Sequence, residues 1–272
     1  MDEEFLALGS HDDAEATARP RGQRARDLWC DVERSALEAA AREPLLRRQL
    51  ARTVLTPATP PAIVGAVLAR RLVSNRDDDA TLRSLVAETL VDDPAVLPSL
   101  EADLEVVSAR DPACRSPLHA LLHFKGFHAL QAHRVAHSLW RRGRRDAAAW
   151  LANQTALALH VDIHPAVPFG RRVMIDHATG IVIGETAVVE DDVTIFHGVT
   201  LGATGKQRGD RHPKVRRGAM LGAGAKVLGN VEVGRCSRIG AGSVVLEEVP
   251  PHCTVAGIPA RVVRKHVAAV AA

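Results

Sequence analysis

Residues 215–245 read VRRGAMLGAGAKVLGNVEVGRCSRIGAGSVV, and within this stretch an apolar residue returns at every sixth position. These positions are Val215, Leu221, Val227, Val233, Ile239 and Val245. An amphipathic helix would repeat about every 3.6 residues and a half-buried strand every second residue, so neither explains the spacing. A six-residue period is typical of a solenoid whose triangular coils have three short strand-like sides, each directing one side chain toward the axis.

The same period extends upstream to the middle of the chain. It is carried there by Ile163, Phe169, Ile175, Ile181, Ala187, Val193 and Val199. Small or β-branched residues stand two places before the apolar ones in the second run, namely Ala219, Ala225, Val231, Ser237 and Ser243. The pattern is interrupted over 200–214, so we predict one solenoid with a single insertion.

The chain divides into three parts by composition. Residues 1–22 begin acidic and continue rich in Ala and Arg, which predicts a flexible tail. Residues 23–158 carry apolar residues at helical spacing with breaks at prolines and aspartates, which predicts a helical domain. Residues 159–272 contain the predicted solenoid, and Pro250–Ala268 would close its open end. The fold class is therefore α+β.

One predicted helix begins just after Gly126 and carries a row of polar side chains. They are Gln131, His133, Arg134 and His137. Polar residues at helical spacing ordinarily form the face of a helix that water solvates. The sequence therefore favours an ordinary polar helix face for most of these four residues.

Charge and composition argue against several classes of protein. The chain has 35 basic and 32 acidic residues and only 3% aromatic residues, without the basic stripe and interleaved aromatics of a nucleic-acid-binding protein. No apolar run has membrane-spanning length, and the acidic start at residues 1–4 is unlike a secretory signal. The four cysteines are widely spread, which favours a cytoplasmic location and argues against a disulfide framework or a zinc site.

The insertion reads TLGATGKQRGDRHPK over 200–214. Loops that leave a regular scaffold carry function disproportionately. This one collects Lys206, Arg208, Arg211 and His212 next to glycines, which suits a bound anionic group. The alternative is a flexible charged loop with no ligand.

Two Asp–His pairs lie within the solenoid wall, Asp162 with His164 and Asp176 with His177. A histidine titrates near neutral pH and can take a proton from a hydroxyl group, while a carboxylate can orient its ring. The pairs are therefore equally consistent with a catalytic general base and with histidines that have only a structural role. Spacing alone does not distinguish these two interpretations.

Several longer strings resemble one enzyme family. The helical region contributes RDPA at 110–113 and FKGFHALQA at 124–132, and the solenoid contributes VDIHP at 161–165, DHATG at 176–180, GETA at 184–187, GDRHPK at 209–214 and AGIPAR at 256–261. Together these strings strongly resemble the serine acetyltransferase family. The resemblance implies an N-terminal all-helical domain followed by a left-handed parallel β-helix of hexapeptide repeats.

The resemblance also implies a reaction and its ligands. The enzyme would transfer the acetyl group of acetyl-CoA to the hydroxyl of L-serine, giving O-acetyl-L-serine, the first step of cysteine biosynthesis from serine. Acetyl-CoA would be the co-substrate, and no metal would be needed. L-cysteine would inhibit by feedback.

Carried over by position, the resemblance assigns roles to individual residues. His177 would be the general base, and Asp162 would orient it. Asp111 and Asp176 would hold the substrate ammonium group, while Arg211 and His212 would bind its carboxylate. The coenzyme would lie along the wall between subunits, near Ala203, Thr204, Ala223, Arg238 and Ala241.

The resemblance further implies a homotrimer through the solenoid, or a dimer of such trimers. A complex with O-acetylserine sulfhydrylase is doubtful, because the chain stops at Ala271-Ala272 without the isoleucine-ended tail that the family often carries. Three alternatives stay open: an acetyltransferase for another hydroxyl acceptor, a metal-dependent hydratase using the solenoid histidines, and a non-catalytic assembly partner.

Overall fold

The computed structural model describes residues 20–205 and 208–266. The predicted tail lies almost wholly outside these ranges, as do Lys206 of the insertion and the last two residues of the predicted closing segment. Eight α-helices are described: α1 (Arg21–Arg42), α2 (Pro44–Leu50), α3 (Pro60–Leu72), α4 (Arg76–Asp92), α5 (Val96–Arg110), α6 (Pro117–His123), α7 (Lys125–Arg141) and α8 (Arg145–Leu159). A π-helical segment, Ala51–Leu55, continues α2. No described helix combines the length and hydropathy needed to cross a bilayer.

Local sequence signals set where several helices begin. The side chains of Thr59, Asn75 and Ser116 each accept a hydrogen bond from a backbone N–H in the first turn of α3, α4 and α6. Such caps satisfy donors that the helix itself leaves unpaired. Proline occupies the start of α2, α3 and α6, where its missing N–H costs nothing.

After α8 the chain winds into a parallel β-helix with three faces. The first face contains β1 (Val161–Ile163), β3 (Ile181–Ile183), β6 (Thr200–Gly202), β9 (Lys226–Leu228) and β12 (Val244–Val245). The second contains β4 (Val188–Val189), β7 (Lys214–Val215) and β10 (Glu232–Val233). The third contains β2 (Met174–Asp176), β5 (Thr194–Phe196), β8 (Met220–Leu221), β11 (Arg238–Ile239), β13 (Cys253–Gly257) and β14 (Ala260–Lys265). Only β14 runs antiparallel, against β13, and ends the described solenoid.

Stacked side chains along each face form the core of the β-helix. On the first face the register superimposes Ile163, Ile183, Leu201, Val227 and Val245, all of them buried. Each coil alone buries too little apolar surface to be stable, so the stack supplies the stability. The predicted solenoid of three-sided coils is confirmed.

The prediction of a single interruption in the six-residue period is wrong. The stacked Ile183 follows the stacked Ile175 by eight positions, whereas Val189 follows Ile183 by six. The two additional residues lie in the turn 177–180. The six-residue pattern did not reveal this break, because Ile181 is also buried although it lies two residues before the stacked Ile183. The same holds for the positions that follow it in the series, Ala187, Val193 and Val199.

A buried ion pair joins the helices to the first coil. Asp103 accepts hydrogen bonds from Arg134 Nε at 2.7 Å and Arg134 Nη2 at 3.0 Å. Asp103 also accepts from the backbone N–H of Val173 at 3.0 Å, and Arg134 Nη2 donates to the Gly170 carbonyl at 2.6 Å. Removing one partner of such a pair typically costs about 3–5 kcal/mol, because the other is left buried and unpaired.

The histidines of α7 lie at the same interface. A ring nitrogen of His133 is 2.9 Å from the Val167 carbonyl, and one of His137 is 2.8 Å from the Pro165 carbonyl. Burial lowers the pKa of His133 to about 3, so the ring is neutral. The prediction of an ordinary polar helix face is therefore wrong, because these side chains are packed against the β-helix or buried among the helices.

Candidate active site

The predicted site residues lie on two edges of the prism. We call the turns between the third and first faces the His177 edge; they span 177–180, 197–199, 222–225 and 240–243. We call the turns between the first and second faces the His212 edge; they include 184–187 and the loop 203–213.

His177 stands on a tight, strained turn. His177 and Ala178 have φ angles of 55° and 61°, in the left-handed region that residues other than glycine rarely occupy. The backbone N–H of Ala178 donates to the Asp176 carbonyl at 2.6 Å, and that of Thr179 donates to the His177 carbonyl at 2.8 Å. Such strain is concentrated at functional sites. On this turn the His177 side chain projects outward and is 76% exposed to solvent.

Carboxylates and a second imidazole surround His177. Asp176 Oδ2 lies 3.8 Å from His177 Nε2, and the His197 ring centroid lies 5.8 Å from that of His177. Burial raises the pKa of Asp176; His177 opposes the rise and Asp111 adds to it. Asp111, which directly follows α5, accepts a hydrogen bond from the Ala113 N–H and so is also a turn residue. Two neighbouring carboxylates make this edge suitable for a cation.

Helix α7 supports this edge from outside. A Cβ atom on Gly126 would lie 1.9 Å from the Ile175 carbonyl oxygen, so only glycine allows the helix to approach β2 this closely. Lys125 Nζ donates a hydrogen bond to Thr179 Oγ1 within the turn. Within the string 124–132, Gly126 therefore has a packing role and Lys125 contacts the turn 177–180.

On the His212 edge, the loop folds back onto the turn after β3. Arg211 Nη2 pairs with Glu185 Oε2 at 2.9 Å, and the His212 side chain is buried. A Cβ atom on Gly184 would lie 2.0 Å from His212 Nε2, so glycine is required at this position. Burial first, and then the charges of Arg211 and Lys214, lower the pKa of His212.

Thr186 fixes the orientation of both loop residues. Its hydroxyl accepts the backbone N–H groups of Arg211 and His212, each at 3.0 Å. Nδ1 of His212 lies 3.2 Å from the Thr186 backbone N–H and 2.9 Å from the Thr186 hydroxyl, so it accepts. A neutral ring that accepts through Nδ1 carries its proton on Nε2. His212 therefore presents a neutral Nε2–H donor, beside the Arg211 guanidinium, for an anionic group.

The two edges are not brought together within one chain. Asp162 is exposed at the centre of β1, and among the described residues no hydrogen bond or ion pair joins it to His177. The first face separates the edges, and its three-residue strands span roughly 10 Å. The residues predicted for the coenzyme divide in the same way: Ala223 and Ala241 lie on the His177 edge, Arg238 in β11, and Ala203 and Thr204 at the start of the loop.

Sequence reasoning gave no role to several residues that build this site, namely Gly126, Lys125, Gly184, Glu185 and Thr186. All five stand within strings that carried the family resemblance, and that was the available signal. Over 20–205 and 208–266 no group of three or more His, Cys, Asp or Glu residues is placed to hold a metal ion. The prediction that no metal is needed stays a prediction.

Comparison with known proteins decides the family. Residues 28–132 match the family model for the N-terminal region of serine acetyltransferase, and residues 212–247 match that of the bacterial transferase hexapeptide. The serine acetyltransferase of Salmonella typhimurium is 50% identical over 238 residues, which cover 88% of this chain and 87% of that protein. This chain belongs to the serine acetyltransferase family.

Solved serine acetyltransferases agree with this assignment. The Brucella abortus enzyme in complex with coenzyme A is 45% identical, with a TM-score of 0.86 over 89% of this chain and 96% of that one. A serine acetyltransferase in complex with cysteine is 46% identical, with a TM-score of 0.84 over 88% of this chain and 99% of that one. The predicted family and the left-handed β-helix after a helical domain are confirmed.

Proposed function

We propose that this chain transfers the acetyl group of acetyl-CoA to the hydroxyl of L-serine, giving O-acetyl-L-serine. The observation that carries the proposal is 50% identity to a serine acetyltransferase over most of the chain. The site fits a zwitterionic amino acid. Asp111 and Asp176 suit its ammonium group, and Arg211 with His212 Nε2–H suits its carboxylate.

In this mechanism His177 acts as the general base. A serine hydroxyl is a poor nucleophile until a base takes its proton, an effect typically worth about 10²–10⁴-fold. The imidazole takes the proton as the serine oxygen attacks the thioester carbonyl carbon. The tetrahedral intermediate then expels the coenzyme A thiolate, which takes the proton from His177. Backbone N–H groups of the glycine-rich turns would stabilise the developing oxyanion.

The division of the site between two edges supports a homotrimer. The His177 edge of one copy would face the His212 edge of the next, so that three equivalent sites close around the symmetry axis. Asp162 of the next copy would then orient His177, since both side chains are exposed and unbonded to each other within one chain. The coenzyme would lie in the same seam. Pairing of trimers through the helical region would give a hexamer.

Regulation and location extend the same proposal. L-cysteine carries the same ammonium and carboxylate groups as L-serine, and a related enzyme has been solved with cysteine. We therefore expect cysteine to compete for the serine site. The cytoplasmic location and the doubtful sulfhydrylase complex stay predictions from the sequence.

Coenzyme A release from acetyl-CoA tests the function directly. We expect thiol release to depend on L-serine and to fall when L-cysteine is added. Sugars with free hydroxyls serve as control acceptors, because they lack the paired charges that the two edges would bind. Release with a sugar but not with L-serine would assign the enzyme to another acceptor.

Replacing Thr186 by valine tests how the carboxylate site is held. Valine keeps the shape but removes the hydroxyl that binds Arg211 and His212, so the serine KM should rise by roughly tenfold with a smaller change in kcat. Thr186→Ser keeps the hydroxyl and is expected to retain a near-normal KM. A serine variant as impaired as the valine variant would show that the methyl group, not the hydroxyl, matters.

A further inference from the structure

A second concave site lies in the helical region, away from both edges of the prism. It is a cleft of about 750 Å³ between α2 with the π-helical segment on one side and α3 with α4 on the other. Its walls carry four arginines, Arg48, Arg52, Arg70 and Arg83. No strand of the β-helix lines it. The volume is within the range of about 300–1,000 Å³ that is usual for small-molecule sites.

The arginines outnumber the acidic groups of the cleft. Asp79 is the one carboxylate among the described lining residues, and Arg83 already binds it through Nε at 2.7 Å and Nη2 at 3.3 Å. Arg70 donates to the neutral Gln49 amide oxygen at 3.0 Å. The side chains of Arg48 and Arg52 make no hydrogen bond or ion pair with any described residue. Among the side chains that the structure describes, three guanidinium groups therefore share the cleft without a carboxylate partner.

We propose that this cleft binds a small organic phosphate that carries at least two negative charges. Like charges held in one concavity repel each other, and a bound polyanion relieves that repulsion. Guanidinium groups match phosphate oxygens with paired hydrogen bonds. One carboxylate would supply a single charge, whereas a phosphate ester presents several acceptor oxygens to Arg48, Arg52 and Arg70 together.

Two further features favour an organic ligand over a bare ion. Leu45, Leu46 and Val73 supply an apolar part of the lining, against which a carbon skeleton can pack. Arg52 stands in the π-helical segment Ala51–Leu55, and π-helical turns occur frequently at functional sites. The π-helical segment thus carries Arg52, whose side chain lines the cleft.

Calorimetric titration of the full chain with fructose 1,6-bisphosphate tests the proposal. Coenzyme A is left out of the titration, because its own phosphates would compete for the cleft. Binding elsewhere on the protein is identified as the part that the cleft variant retains. We expect binding by the wild-type protein and at least a tenfold loss of affinity in the Arg48→Gln/Arg52→Gln variant. Inorganic phosphate is expected to bind more weakly than the bisphosphate.

A matched control removes the same charge from neighbouring positions. Arg47 and Arg71 each adjoin a lining arginine in sequence but do not line the cleft, so Arg47→Gln/Arg71→Gln should bind like wild type. Equal losses in both double variants would reduce the effect to net charge and overturn the proposal. No binding by wild type would overturn it as well. A changed oligomeric state in Arg48→Gln/Arg52→Gln without any bisphosphate binding would assign the cleft to a contact between copies instead.

Discussion

Turnover by the His177→Ala variant is expected to be about 10²–10⁴-fold below that of the wild type, the range typical for loss of a positioned general base. The KM for serine should change little, because the ammonium and carboxylate contacts are assigned to other residues. The imidazole is 76% exposed and its only ion-pair neighbour among the described residues is Asp176. Its removal should therefore leave the thermal midpoint nearly unchanged. Steady-state coenzyme A release at varied serine concentrations measures both parameters.

His252 offers a matched control for this substitution. It too stands at a solenoid turn with a left-handed φ, 55°, but on the edge between the second and third faces. His252→Ala removes the same side chain from the same backbone conformation and should retain wild-type turnover. Near-normal turnover by His177→Ala, or an equal loss in His252→Ala, would remove His177 from the role of base.

The β-helix could be predicted because its signal is local. Each coil needs one inward apolar residue per side, so the chain repeats the same requirement every six residues. The long turn at 177–180 was missed because burial alone does not separate stacked from corner positions. Ile181 and Ile183 are both buried, and only the register shows that Ile183 stacks on Ile163 and Leu201. Both departures from the period, this turn and the loop 203–213, carry predicted site residues.

The interface of α7 could not be predicted because its partners are distant in sequence. Arg134 becomes a buried residue only because Asp103, on another helix, meets it 31 positions away. A guanidinium without such a partner would stay in water. Two glycines illustrate the same limit. A side chain on Gly126 would clash with Ile175, and one on Gly184 would clash with His212. Their reasons are steric and appear only when the chain is folded.

The sequence indicated the chemistry of the site but not its division. The Asp–His pairs and the basic loop predicted a base and an anion-binding group, both within one stretch of the chain. The coil geometry places His177 on one edge and Arg211 on another, and a rigid prism cannot bring two of its own edges together. Under the proposed function, a single chain would therefore hold two half-sites, each completed only by a second copy.

Mixed oligomers of two inactive variants should therefore regain activity. Arg211→Ala lacks the carboxylate contact and should show little turnover at low serine, while His177→Ala lacks the base. After random assembly, about a quarter of the seams would join an intact His177 edge from one variant to an intact His212 edge from the other. We expect that share of wild-type activity when the two are unfolded and refolded together.

The control mixture pairs two defects on the same edge. His177→Ala mixed with Asp176→Asn offers no seam with an intact His177 edge, so coenzyme A release should stay at the level of the separate variants. Recovery in the first mixture and none in the second would locate the His177 and Arg211 half-sites on different subunits. Failure of both mixtures, with oligomers formed normally, would mean that each chain completes its own site and that the trimer contributes no residue to it.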